Sequence, residues 1–146
     1  MTPRQPVDTL VIGGGVVGMS IAFGLTRAGD TVRVLDGSDD AFRASRGNFG
    51  LVWAAGKGAG RPAYARWSLS STAAWGAFAA DLTARTGIDL ELAQTGGLLM
   101  YMDAGELAAS AATHGDIRNQ LGVPYPFDVL DNAALRKRIP DRKSVV

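Results

Sequence analysis

The stretch VDTLVIGGGVVGMSIAFGLTRAGDTVRVLD, residues 7–36, decides how the rest of the chain is read. Its opening, VDTLVI (7–12), is an apolar run rich in β-branched side chains that stops at three glycines, as a buried parallel strand does. Apolar residues then recur at Val17, Ile21, Leu25 and Ala28, which is helical spacing, and Gly29 follows where a C-cap belongs. TVRVLD (31–36) is a second strand. Strand, tight turn, helix and strand in so short a span make a βαβ unit.

The turn carries chemistry. Gly13-Gly14-Gly15-Val16-Val17-Gly18 fits G-x-G-x-x-G, directly after a strand and at the opening of a helix, and Asp36 ends the next strand. That context is what a dinucleotide-binding fingerprint requires. Gly13 permits the tight turn, Gly15 lets the backbone approach a pyrophosphate, and Gly18 lets the helix pack close to the strand. Free N–H groups and the positive end of the helix dipole suit phosphate charge. The Asp36 carboxylate can accept hydrogen bonds from ribose hydroxyls and would repel a 2′-phosphate, so NADP is disfavoured and NAD or FAD remains.

The totals bound the alternatives. The chain has 146 residues, 47% of them hydrophobic, with a formal net charge of +1, which suits one ordinary domain and gives no reason to invoke nucleic acid. Cysteine is absent, which excludes disulfides, thiolate metal sites and Cys nucleophiles within this chain and allows a reducing compartment; a cytoplasmic protein is expected. The one histidine, His114 in AATHGD, is expected near a helix C-terminus running into Gly115, and no metal site is expected. The apolar stretch from Val7 to Leu25 is interrupted by glycines and is expected to be strand and helix, with no membrane span.

Downstream, Pro62 opens a helix in which Tyr64, Trp67, Ser71, Trp75, Phe78 and Leu82 recur every three or four residues and are expected to face the core, with Gly87 at its end. IDLELA and GGLLMYM predict an antiparallel strand pair joined through QTGG. GELAASAAT predicts a helix, FDVLD a short strand, and NAALRKRI a capped helix stopping at Pro140.

Between Asp36 and Pro62 the chain reads GSDDAFRASRGNFGLVWAAGKGAGR, too glycine-rich for a helix and too apolar for a solvated linker. Bare backbone of this kind suits close passage alongside an extended cofactor. No parallel strand is predicted after Asp36, as a third strand of an NAD fold would be. At these residues the sequence resembles the FAD-dependent oxidoreductases of the glycine oxidase/D-amino acid oxidase (DAO) type. VIGGGVVGMSIAFGLTRAGDTVRVLD is similar to their N-terminal adenine-binding unit, and RASRGNFGL to the segment that passes the pyrophosphate towards the flavin. QTGGLLMYMDAGEL and FDVLDNAALRKRIP resemble further family patterns. The resemblance implies that FAD is held by Gly13, Gly15, Val16, Val17, Gly18, Asp36, Gly37, Ala44, Ser45, Asn48, Phe49, Gly50 and Leu51, many through backbone atoms.

The expected fold class is therefore α/β: a Rossmann-type βαβ unit with its flavin-contacting loop over 1–62, then a helix and the start of an α+β substrate domain over 63–140. Family members are longer, so a truncated chain is expected, inactive by itself and poorly soluble or only partly folded. DRKSVV (141–146) replaces the family's apolar continuation and would be encoded by common sequencing-adapter DNA, so a non-native tail is expected there. The resemblance implies a parent enzyme that oxidises the C–N bond of a small amine or amino acid, such as glycine, sarcosine, a D-amino acid or an opine, by hydride transfer to flavin. The electron acceptor is left open, and no catalytic residue is assigned. Tyr64, Lys57, Arg61 and Arg66 could reach a substrate carboxylate, although a surface role suits them better. The alternatives are an NAD-binding dehydrogenase and a non-catalytic dinucleotide-binding module.

Overall fold

The computed structural model of the chain describes residues 6–37, 44–48 and 50–139. In order these carry β1 (Thr9–Ile12), α1 (Val16–Ala28), β2 (Val32–Leu35), α2 (Ala44–Gly47), α3 (Pro62–Thr86), α4 (Ala104–Leu121) and α5 (Asn132–Arg138). They fall into two compact units, Met1–Leu51 and Val52–Val146.

In the first unit β1 and β2 are parallel neighbours, with Thr9 opposite Val32 and Ile12 opposite Leu35. α1 connects them and packs back on both strands, burying Ala22 on the helix and Val11 on β1. A small residue there lets the helix axis approach the sheet closely. Gly29, at φ +105°, ends α1 in the left-handed conformation that glycine adopts without strain. At the open end of the pair, the Thr31 hydroxyl and N–H both donate to Asp8 Oδ2, at 2.6 and 2.8 Å, and tie the start of β1 to the entry of β2. The other faces remain bare: Leu10, Ile12, Val17 and Ile21 are each half exposed or more.

In the second unit α3 packs against α4. The core between them is Ala65, Ile117, Leu121 and Tyr125, with Leu69 and Phe127 packed against it. α3 opens at Pro62 and closes at Gly87, both as the sequence predicts. Asp103 caps α4 by accepting from Glu106 N–H at 3.0 Å, and Asp131 caps α5 by accepting from Ala134 N–H at 2.7 Å. Pro140 and the DRKSVV tail lie outside the described residues.

Several expectations fail here, each for a physical reason. IDLELA and GGLLMYM form no strand pair, and FDVLD forms no strand. An isolated two-stranded hairpin is marginal in water, and the sheet among the described residues, β1 with β2, offers these segments no third strand. The segment from 88 to 101 is held by side chains instead. Gln94 Nε2 donates to Thr72 O at 2.9 Å, Tyr101 and Ser110 share a hydroxyl bond at 2.7 Å, and the Trp53 ring lies where a Cβ on Gly97 would sit. Helix α4 does not stop at Gly115 but runs to Leu121, with Gly122 (φ +63°) as its cap. An interior glycine costs about 1 kcal/mol, less than burial of Ile117 and Leu121 returns. His114 is thus buried in mid-helix, its Nδ1 bonded to Ser110 O at 2.8 Å. The aromatic stripe of α3 is covered only in part: Tyr64 is 48% and Trp67 69% exposed, Trp75, Phe78 and Leu82 are half-buried, and α3 meets the core on α4 through Ala65 and Leu69 instead. The glycine-rich connection also contains one helical turn, α2.

Candidate functional site

The site grows from the turn that joins β1 to α1. Gly13 N–H donates to Leu35 O at 2.8 Å, so the turn is pinned to the end of β2. This brings Asp36, the next residue of β2's exit, beside the glycines. Gly13 sits at φ +103°, a conformation that side-chain-bearing residues rarely adopt. A Cβ on Gly18 would overlap the Gly13 carbonyl oxygen and lie 3.3 Å from Val11 Cγ1, so this glycine is what lets α1 start so close to β1. Gly14 has a role the motif does not assign. A Cβ there would lie 2.6 Å from Asp36 Oδ2, so the missing side chain makes room for the carboxylate. The signal was available in the sequence: three consecutive glycines stand where the fingerprint needs two.

The N-terminus of α1 is poorly satisfied by its own residues. The N-cap is Gly15, which has no capping side chain, and the first turn contains no acidic residue. Met19 N–H is the first to bond back, to Gly15 O at 2.9 Å. Val16 N–H donates to Ser45 Oγ at 2.9 Å, a contact spanning 29 residues. The N–H groups of Gly15, Val17 and Gly18 have no acceptor among the described residues. These groups, with the positive end of the helix dipole, form a place for an anion. The side chains of Val16 and Val17 are 61% and 70% exposed.

Of the residues singled out in the sequence, the structure thus brings together Gly13, Gly15, Val16, Gly18, Asp36 and Ser45, and adds Gly14. Val17 adjoins them on α1. Ala44 and Ser45 open α2. Gly37 N–H donates to Asp36 Oδ1 at 2.9 Å, which orients the carboxylate. Asn48, Gly50 and Leu51 make no hydrogen bond to the glycine turn among the described residues; Asn48 Oδ1 instead accepts from Gly50 N–H at 2.9 Å, and Leu51 is exposed. Phe49 lies outside the described residues. In the second unit, Arg66 Nη1 donates to Leu121 O at 3.0 Å and so closes the C-terminus of α4. That is a structural use of the guanidinium. Lys57, Arg61 and Tyr64 are exposed. No group of His, Asp or Glu among the described residues could hold a metal ion, and no helix among them is long and apolar enough to cross a membrane.

A βαβ unit with unsatisfied amides at its helix N-terminus and a carboxylate at the neighbouring strand end defines a Rossmann-like dinucleotide-binding fold. The chain belongs to the family of FAD dependent oxidoreductases, DAO, whose family model matches residues 8–146. FAD is the cofactor of that family, and the residues present fit it: the unpartnered amides suit a pyrophosphate, and Gly14 and Gly15 leave bare backbone where side chains would intrude.

Among curated proteins the chain is similar to an opine oxidase subunit of Rhizobium meliloti, 42% identical over 135 residues, which is 92% of this chain and 36% of that protein. It is equally similar to the opine oxidase subunit of the same name from Agrobacterium tumefaciens (strain Ach5), 42% identical over 134 residues, 91% of this chain and 36% of that protein. The chain therefore spans little more than a third of the length of these relatives. No solved structure matches it significantly.

Proposed function

We propose that residues 1–62 bind the ADP half of FAD and lead towards its flavin, and that residues 63–140 begin the substrate domain of an oxidoreductase acting on the C–N bond of a small amine or amino acid. In this reading the α1 amides and Ser45 meet the pyrophosphate, and Asp36 and Gly37 meet the adenosine ribose. Ala44 and the run from Asn48 to Leu51 flank the cofactor further along. The name of the two relatives supports an opine as the substrate, within the wider class of glycine, sarcosine and D-amino acids. FAD, when bound, supplies the redox step by accepting a hydride at the flavin. The chain's own residues bind and orient the nucleotide, and the 146-residue chain by itself turns over no substrate.

One observation carries this reading: the Ser45 hydroxyl stands 2.9 Å from Val16 N, so the segment after β2 returns to the fingerprint turn. A strand-turn-helix alone would suit NAD equally well. The test is calorimetric titration of the chain with FAD and, separately, with NADH. Saturable binding of FAD with one site supports the reading. Binding of NADH alone establishes the NAD alternative, and binding of neither by a chain whose circular dichroism shows its helices formed sinks both.

A further inference from the structure

The N-cap of α1 is a glycine, yet the first amide of that helix is not bare. Ser45 Oγ accepts from Val16 N–H at 2.9 Å and lies 3.1 Å from where a Cβ on Gly15 would stand. A side chain 29 residues downstream thus satisfies the first amide of the helix, one that an N-cap side chain, which reaches the second or third amide, would itself leave open. Glycine at position 15 leaves space for a phosphate, and the same absence leaves the ligand-free helix without a cap of its own.

We propose that Ser45 is a surrogate N-cap of α1 that holds the empty site and yields the Val16 amide to a phosphate oxygen when the nucleotide arrives. This rests on the FAD reading above. The Val16 N–H has one hydrogen to donate, so Ser45 and a phosphate oxygen compete for it. On exchange the hydroxyl loses an acceptor role and is free to turn its own O–H towards the phosphate. No bond is made or broken beyond these hydrogen bonds. Ser45 is a positioning residue: it keeps α1's first turn and the 44–47 segment together before binding. Neighbouring Val17 and Gly18 amides, which have no acceptor among the described residues, are available to the phosphate without any exchange.

Two substitutions separate capping from phosphate contact, since they act in opposite directions on the empty protein. Ser45→Ala removes the cap, and the Val16 amide should exchange with water about fivefold faster, the equivalent of a typical lost N-cap. Because the variant loses a competitor and a donor together, its FAD affinity should fall less than about tenfold, the factor that corresponds to one neutral hydrogen bond. Ser45→Asp places a better cap and a negative charge at the positive helix end, so the Val16 amide should exchange more slowly than in the wild type. The same carboxylate repels a pyrophosphate, and FAD affinity should fall at least about a hundredfold. Exchange is read by NMR on the 146-residue chain, and affinity by titration with FAD. Unchanged Val16 exchange in Ser45→Ala overturns the cap. Wild-type FAD affinity in Ser45→Asp overturns the exchange of partners. A wild-type chain that binds no FAD, while both variants shift Val16 as stated, overturns the nucleotide reading and leaves the cap standing.

Discussion

Gly18 is the residue on which the site depends most directly. Its Cα faces the Gly13 carbonyl and the Val11 side chain so closely that no Cβ fits without moving the turn. Because the obstacle is backbone, a side-chain rotation cannot relieve it. Gly18→Ala should destabilise the first unit by about 2 kcal/mol, in the range of overpacked cores, and weaken FAD binding with it. Urea unfolding followed by far-UV circular dichroism reads the first effect. A variant as stable as the wild type would show that the turn and α1 can separate, which contradicts the close packing. Gly14 differs in kind: a Cβ there meets only the flexible carboxylate of Asp36. Its substitution displaces the Asp36 side chain rather than the fold. The roles of Gly13 and Gly18 were legible in the sequence because G-x-G-x-x-G encodes local geometry. The bond from Val16 N–H to Ser45 was not legible, because nothing local ties position 45 to position 16.

At the scale of elements, the two strands illustrate how short β structure is held. β1 and β2 have four residues each, and polar ties at their ends matter correspondingly. The Thr31 hydroxyl, and after it the Thr31 N–H, hold the Asp8 carboxyl below its ordinary value of 3.8. The folded value is the lower one. The stabilisation is therefore fully present above the unfolded value and is lost as pH falls through the folded value. Asp8→Asn should accordingly be less stable than the wild type at pH 7, and the gap should close as the pH falls below about 4, the unperturbed carboxylate range. Parallel urea titrations at several pH values check this. A gap that widened on acidification would mean that Asp8 acts through something other than its charge on Thr31. Helices α3 and α5 were legible from Pro62, Gly87 and Asp131, which are local start and stop signals. The extent of α4 was not, because Gly115 is a plausible stop and only the burial of Ile117 and Leu121 against α3 overrides it. The strand pair between 88 and 102 failed for the same kind of reason. Its alternating apolar residues satisfy a strand pattern, but a lone pair is marginal without a third strand or a helix face to pack on.

At the scale of the whole molecule, large apolar side chains stay exposed in both units. Ile12, Val17 and Ile21 in the first unit, and Trp67, Leu99 and Met102 in the second, are each more than half exposed. A parallel sheet is ordinarily covered on both faces, and here α1 covers one. The isolated chain should therefore bind the dye ANS without denaturant and unfold over a broad range of temperature. Acrylamide should quench Trp67 more strongly than Trp53, whose indole N–H is bonded to Ala55 O at 2.7 Å. A sharp cooperative melt with no ANS enhancement would contradict this account. Relatives of which the chain covers 36% have ample further polypeptide for such surfaces to meet.

What the sequence determined by itself is the βαβ unit, its parallel pairing and the anion-receptive turn, because each depends on neighbours within a few residues along the chain. The bond that Val16 N–H makes to Ser45, and the use of Ala65 and Leu69 rather than Tyr64 and Trp67 against α4, were decided only by tertiary structure. These depend on which surfaces meet, and hydrophobic spacing records that a face is apolar without recording what covers it.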